Sequence, residues 1–133
     1  MTHPKNDDMR FCYLRDPEDK RRVLSIGRVV TNNYTQVNWV FCVNDPKDQF
    51  CRRVSRNILR GRMKNTGCYN ADLAAEQRVL ITVLEEIATS SQPSRARTIA
   101  KFYLPKFKAE QQHREYIKEV LPPIDLIVTN NLK

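Results

Sequence analysis

Glycine and histidine are scarce, with three Gly and two His among 133 residues. Gly27, Gly61 and Gly67 stand isolated, so they form neither a phosphate-cradling loop nor a dinucleotide fingerprint, and nucleotide hydrolysis is disfavoured. His3 in a polar tail and His113 on a polar helix leave little material for histidine-based catalysis. Cys12, Cys42, Cys51 and Cys68 include no close Cys or His pair of the kind a zinc site needs; they read as reduced core thiols of a cytoplasmic protein. No metal or cofactor is expected. Long hydrophobic runs are also missing: the longest apolar cluster, Val79 to Leu84, is interrupted by Thr82 and falls far short of the roughly 18 residues of a spanning helix, so no membrane partner is expected. The polar start, Met1 to Asp8, gives no secretory signal and reads as a flexible tail. Acidic residues are the last deficit. There are 15 Asp and Glu against 23 Lys and Arg, a formal charge of +8, which favours an anionic partner.

Residues 9 to 44 carry the period of two that marks half-buried strands. Three are expected. Met9 to Asp16 is followed by turn chemistry at Asp16-Pro17-Glu18-Asp19-Lys20, and Arg22 to Thr31 by Asn32-Asn33, two residues tolerant of positive φ. In Gln36 to Val43, Val37, Trp39, Phe41 and Val43 share one face. A three-stranded antiparallel meander cannot hide Trp39 and Phe41 alone, so a helix is expected across that face.

Asp45 has the character of an N-cap and Pro46 that of a first helical residue, which predicts a helix over residues 46 to 62. Helical spacing gathers Arg52, Arg53, Arg56 and Arg60 on one arc and Phe50, Cys51, Val54 and Ile58 on the other, taken as the inward face. Residues 44 to 64 hold seven Lys or Arg against two acids. Arginine suits bidentate recognition of phosphate or carboxylate. The competing interpretation is a solvated face, or pairing with Glu76, Glu85 and Glu86.

The remainder reads as helical. One helix is expected over Ala71 to Thr89, capped by Asn70. A short one, capped by Ser94, is expected through Tyr103, followed by a new start or kink at Pro105, a helix over Lys106 to Leu121 and a stop at Pro122-Pro123. Ile124 to Val128 reads as a strand or a docked extended segment. A second basic group, Arg95, Arg97, Lys101, Lys106 and Lys108, interleaves with Phe102, Tyr103 and Phe107, a pattern that tracks a nucleic-acid backbone or simply anchors the helix. Ala71 to Leu104 also admits a helix-turn-helix reading, with poor turn chemistry.

Asp16, Glu18, Asp19 and Lys20 superficially offer the carboxylates and lysine of a metal-dependent nuclease, at unconvincing spacing. The run from Asn44 to Met63, Asn-Asp-Pro-Lys-Asp-Gln-Phe followed by the arginine-rich segment, resembles a segment of small bacteriophage proteins of unassigned function. The resemblance covers about residues 9 to 64; it implies a viral protein in a bacterial cytoplasm and carries over no site. The expected architecture is α+β: residues 1–8 as a tail, 9–65 as a three-stranded antiparallel sheet with its amphipathic basic helix, and 66–133 as a helical region sharing one core. The expected function is non-enzymatic binding of DNA or RNA through phosphates, using Arg52, Arg53, Arg56 and Arg60, with Arg95, Arg97 and Lys101 as further contacts. The alternative is a modulator docking on an acidic surface of a host protein; a small metal-dependent nuclease ranks third.

Overall fold

A computed structural model describes residues 9–31, 33–74, 77–90 and 93–120. The N-terminal tail with His3, Asn32, Glu76, Pro122-Pro123 and Ile124 to Val128 lie outside the described residues. The protein is α+β. Strands β1 (Arg10–Arg15), β2 (Val23–Thr31), β3 (Gln36–Val43) and β4 (Tyr69–Asp72) form an antiparallel sheet in the order β1-β2-β3-β4. Helix α1 (Arg52–Gly61) covers one face, while α2 (Val79–Thr89) and α3 (Ser94–Val120) pack against the other.

Three strands follow their alternating pattern, and the reversals between them have local causes. Asp16 folds its carboxylate back onto the Glu18 N–H at 2.9 Å. At the β2–β3 hairpin, Asn33 and Tyr34 both adopt positive φ, 56° and 69°. Two such residues are what a tight primed turn needs. The turn is therefore centred one residue later than Asn32-Asn33, and β2 and β3 pair from Thr31↔Gln36 to Leu24↔Val43.

The expected count of three strands falls one short. Tyr69–Asp72, expected at the start of a helix capped by Asn70, instead pairs with Gln36–Trp39 on the open edge of β3. Tyr69 stacks on Trp39 at 4.6 Å between ring centroids, and the Asn70 Nδ2 donates to the Asn38 Oδ1. These cross-strand contacts outweigh the local helical preference of so short a segment. Helix α2 accordingly begins only at Val79, with Arg78 as its N-cap.

The helix covering Trp39 and Phe41 is not α1. Those rings join Leu24, Ile26, Val37, Leu84, Ile87 and Ile99 in the main core beneath α2 and α3. Helix α1 lies on the opposite face, over Met9, Val29, Val40 and Cys42. Gly27 makes that approach close, since a Cβ there would meet the Met9 Cε at 2.6 Å and the Leu59 Cβ at 3.5 Å.

Helix α1 also starts six residues later than expected. The Asp48 N–H donates to the Asp45 carbonyl at 2.9 Å and the Lys47 N–H to the Asp45 carboxylate at 2.9 Å. Pro46 thus occupies the second position of a turn, a place its fixed φ suits as well as a helix start. Asn44 secures this turn to the sheet: its Oδ1 accepts from the Val23 N–H and its Nδ2 donates to the Arg21 carbonyl. At its other end α1 passes through Gly61 into a single π-helical turn, Arg62–Thr66, closed by Gly67 at φ 86°.

Helix α3 is continuous through Pro105, where a break was expected. Pro105 is exposed, so the carbonyl its ring leaves unbonded faces water rather than the core. Ser94 lies within the first turn, and the Pro93 carbonyl accepts the first helical bond, from the Arg97 N–H. The inward stripe is Ala96, Ile99, Ala100, Tyr103, Leu104 and Phe107. Among the described residues no helix is long and apolar enough to cross a membrane.

Candidate anion-binding surface

The buried residues of α1 are Ser55 and Leu59, followed by Met63 in the π-helical turn. This stripe is rotated from the expected one, and Val54 and Ile58 are 55% and 42% exposed. Cys51 is exposed as well, contrary to its reading as a core thiol. The other cysteines, Cys12, Cys42 and Cys68, are at least partly buried, and burial pushes each thiol up from its usual pKa.

The rotation changes where the arginines go. Three of them flank the buried stripe and lie over the aromatic side chains that edge strand β1 presents to the α1 face. Arg52 sits over Tyr13 at 5.0 Å from the ring centroid, Arg60 over Phe11 at 5.2 Å, and Arg56 between the two at 5.9 and 5.5 Å. The Arg56 Nε also donates to the Tyr13 hydroxyl at 2.7 Å. Phe50, just before the helix, meets Tyr13 edge-on, and Arg15 lies over the Phe50 ring. Guanidinium and ring planes therefore alternate along the β1 edge. Stacking of this kind offsets part of the like-charge repulsion and restrains each guanidinium. Arg53 is exposed on the solvent side of the helix.

Among the described residues no carboxylate lies within ion-pair distance of Arg52, Arg53, Arg56 or Arg60. The ion pairs lie elsewhere: Arg21 with Asp19, Arg22 with Asp16, Arg78 with Glu110 and Lys108 with Glu85. Glu85 takes part in the sheet's other face, where Lys108 and Gln77 hold its carboxyl below the usual range. The turn carboxylates are spent likewise. Asp16 is buried and bonded to the Glu18 amide and Arg22, and Asp19 binds Arg21, whose hydrogen bonds lower its pKa. Among the described residues no three Asp, Glu, His or Cys side chains gather as a metal site would require.

The second basic group is divided by the geometry of α3. Arg95, Phe102 and Lys106 share one flank by helical spacing, whereas Arg97, Lys101 and Lys108 share the other. Lys106 lies over the exposed Phe102 at 4.9 Å, and Phe102 meets Tyr103 edge-on. The Tyr103 hydroxyl donates to the Arg15 carbonyl at 2.7 Å. The first flank is thereby joined to the end of the β1 ladder. The second faces α2, where Lys108 reaches Glu85 at 2.9 Å. Arg97 is half-buried and Lys101 exposed there, apart from the ladder. His113 is exposed on α3. The helix-turn-helix reading loses its first turns to β4, and both α2 and the start of α3 bury their apolar residues in the main core.

Phe11, Tyr13 and Arg15 were not identified as site residues from the sequence. Their period of two placed them on one strand face, but no local signal pairs that face with arginines four residues apart on α1. The fold and this surface define a small α+β protein whose sheet is covered on both faces and bears an arginine–aromatic edge. Comparison with protein families, curated proteins and solved structures found no match to the chain.

Proposed function

We propose that this is a non-enzymatic protein that binds DNA or RNA through its phosphates along the β1 edge. Arg52, Arg53, Arg56 and Arg60 supply the primary contacts, and Arg95 extends them on the α3 side. One observation carries this reading: Arg52, Arg56 and Arg60 are held in place by Phe11 and Tyr13 and, among the described residues, by no carboxylate, which leaves their charge to attract an external anion. The exposed Phe102 beside Lys106 adds a ring on which a base can stack. The contacts proposed are to phosphates, which position a nucleic acid without reading its bases.

A labelled oligonucleotide followed by fluorescence anisotropy tests the proposal. The protein binds at low salt; Arg53→Glu weakens binding while its melting temperature is unchanged, because that side chain is exposed and makes no ring contact, and Arg52→Glu/Arg53→Glu loses binding with only the small melting change expected from one lost ring contact. Absence of binding at every salt concentration contradicts it.

A second reading rests on a different observation. Cys51, Val54 and Ile58 are exposed at helical spacing on the arc of α1 away from its arginines, which suits an apolar contact with a protein whose acidic surface meets those arginines. If the resemblance of residues 9 to 64 to small bacteriophage proteins reflects kinship, such a partner would be a bacterial host protein. Capture of one protein from a lysate after nuclease treatment, lost in Val54→Glu, favours this reading over the first.

A further inference from the structure

On the α2/α3 face of the sheet, away from α1, a cavity of about 640 Å³ opens between the start of β1, the tip of the β2–β3 hairpin and the N-terminus of α2. Arg10, Arg28 and Arg78 line it, with Tyr34 at the hairpin tip and Val79 and Leu80 at the helix start. Arg10 and Arg28 are directly cross-strand partners in the β1–β2 register. Like charges placed opposite each other in a sheet are destabilising.

Arg28 bears the greatest strain of the three. Its Nη1 is buried and has no hydrogen-bond partner among the described residues. Burial lowers its pKa; the neighbouring Cys12 opposes the shift, while Arg78 and Arg10 add to it. A buried guanidinium nitrogen left without an acceptor is costly, and native proteins generally satisfy such a group. The cavity wall supplies further donors. The first bonds within α2 run from the Ile81 and Thr82 amides to the Arg78 carbonyl, so the Val79 and Leu80 amides have no acceptor inside the helix. They lie at its positive end, where anions are favoured.

The charge balance narrows the ligand. Glu110 lies 3.2 Å from Arg78 and neutralises one guanidinium in part, while the side of Arg78 rests on the Phe107 ring. Two further guanidiniums remain uncompensated by any carboxylate among the described residues. The geometry points to a binding site for a phosphate monoester, held by Arg10, Arg28 and Arg78 at the N-terminus of α2. A monoester carries close to two negative charges at neutral pH and presents three acceptor oxygens, which suits two guanidiniums with no carboxylate partner among the described residues, set at the positive end of α2, better than a singly charged diester or carboxylate does. Tyr34, 82% exposed and held at positive φ, stands at the rim, where it can contact whatever the phosphate is attached to. This site is distinct from the arginine–aromatic ladder: it uses different arginines, on the opposite face of the sheet.

Thermal melting of the full chain with inorganic phosphate, against sodium chloride at matched ionic strength, provides the first test. Phosphate raises the melting temperature above the chloride control. Arg28→Met and Arg10→Gln each weaken phosphate binding about 10- to 100-fold, the range for losing a hydrogen bond to a charged group. Arg28→Met melts no lower than the parent in chloride, because it removes a partly buried guanidinium whose Nη1 has no acceptor among the described residues and which faces the like charge of Arg10. In the Arg52→Glu/Arg53→Glu background, which removes the phosphate contacts of those two α1 arginines, a phosphate response persists and is still weakened by Arg28→Met. Adenosine monophosphate and a pair of oligonucleotides, 5′-phosphorylated and 5′-hydroxyl, then distinguish the source. Preference for the phosphorylated oligonucleotide assigns the site to a nucleic-acid end; tighter binding of the mononucleotide, with no such preference, assigns it to a free metabolite. A phosphate response no greater than that of chloride, or Arg28→Met and Arg10→Gln variants that respond as the parent does, overturns the proposal.

Discussion

On the α2/α3 face, Leu24, Ile26, Val37 and Trp39 meet Leu84, Ile87 and Ile99, all at 2% exposure or less. On the α1 face the buried set is smaller: Met9, Val29, Val40, Cys42, Leu59 and Met63. Burial of apolar surface contributes roughly 25 cal/mol per Å², so most of the stability resides in the first layer. The second layer is thin, and its margin is occupied by guanidiniums resting on aromatic rings. The main core determines whether the chain folds. The α1 layer presents charge, and its position depends on few apolar contacts.

Core substitutions should separate the two layers most strongly. Leu84→Ala is expected to cost about 2 to 5 kcal/mol in chemical denaturation, as for other fully buried leucines. Leu59→Ala, in the smaller cluster, is expected near the bottom of that range, at about 2 kcal/mol. It should also speed amide exchange in α1 while leaving α2 protected, since α1 can open as a local unit. Equal loss of protection in both helices would show that the layers do not differ in this way.

Arg56→Ala sharpens the comparison at the ladder itself. It removes one hydrogen bond to Tyr13 and two ring contacts, for an expected loss of about 1 to 2 kcal/mol. Tyr13→Phe, which keeps the ring, should cost less, by urea denaturation. Val54→Ser and Ile58→Ser should each stay within about 0.5 kcal/mol of the parent, because both positions face solvent. A large loss would restore these residues to the inward face.

The smallest effect concerns pH. Lys108, with Gln77, lowers the Glu85 pKa from its ordinary 4.5. The pair's contribution is therefore complete above that value and is lost as pH falls through the lower folded pKa. Both side chains are substantially exposed, so the contribution is at most about 0.5 kcal/mol. Stability curves of the parent and Glu85→Gln should converge as the pH falls well below 4.5.

Strands β1 to β3 were legible because alternation and turn residues agree along residues 9 to 44. Strand β4 was not, because Tyr69–Asp72 is short and gains its conformation from Trp39 and Asn38, both distant in sequence. The arginines of residues 52 to 60 were legible as one group, but the inward face was misassigned. Val54 and Ile58 are the more hydrophobic choice by local periodicity, whereas the contact actually made depends on Gly27 admitting Leu59 and on Phe11 and Tyr13 receiving the guanidiniums. Asp45-Pro46 satisfies the requirements of a helix start and of a turn equally well. The side chain of Asn44, bonded across to Val23 and Arg21, decides between them.

The salt dependence of oligonucleotide binding tests the central claim most directly. Neutralisation of phosphates by the four α1 arginines gives a slope of about −3 to −4 in log K against log salt, and Arg52→Gln and Arg53→Gln should each reduce its magnitude by about one. A slope that both substitutions leave unchanged would contradict the account, since the phosphates would then be meeting charges elsewhere on the protein.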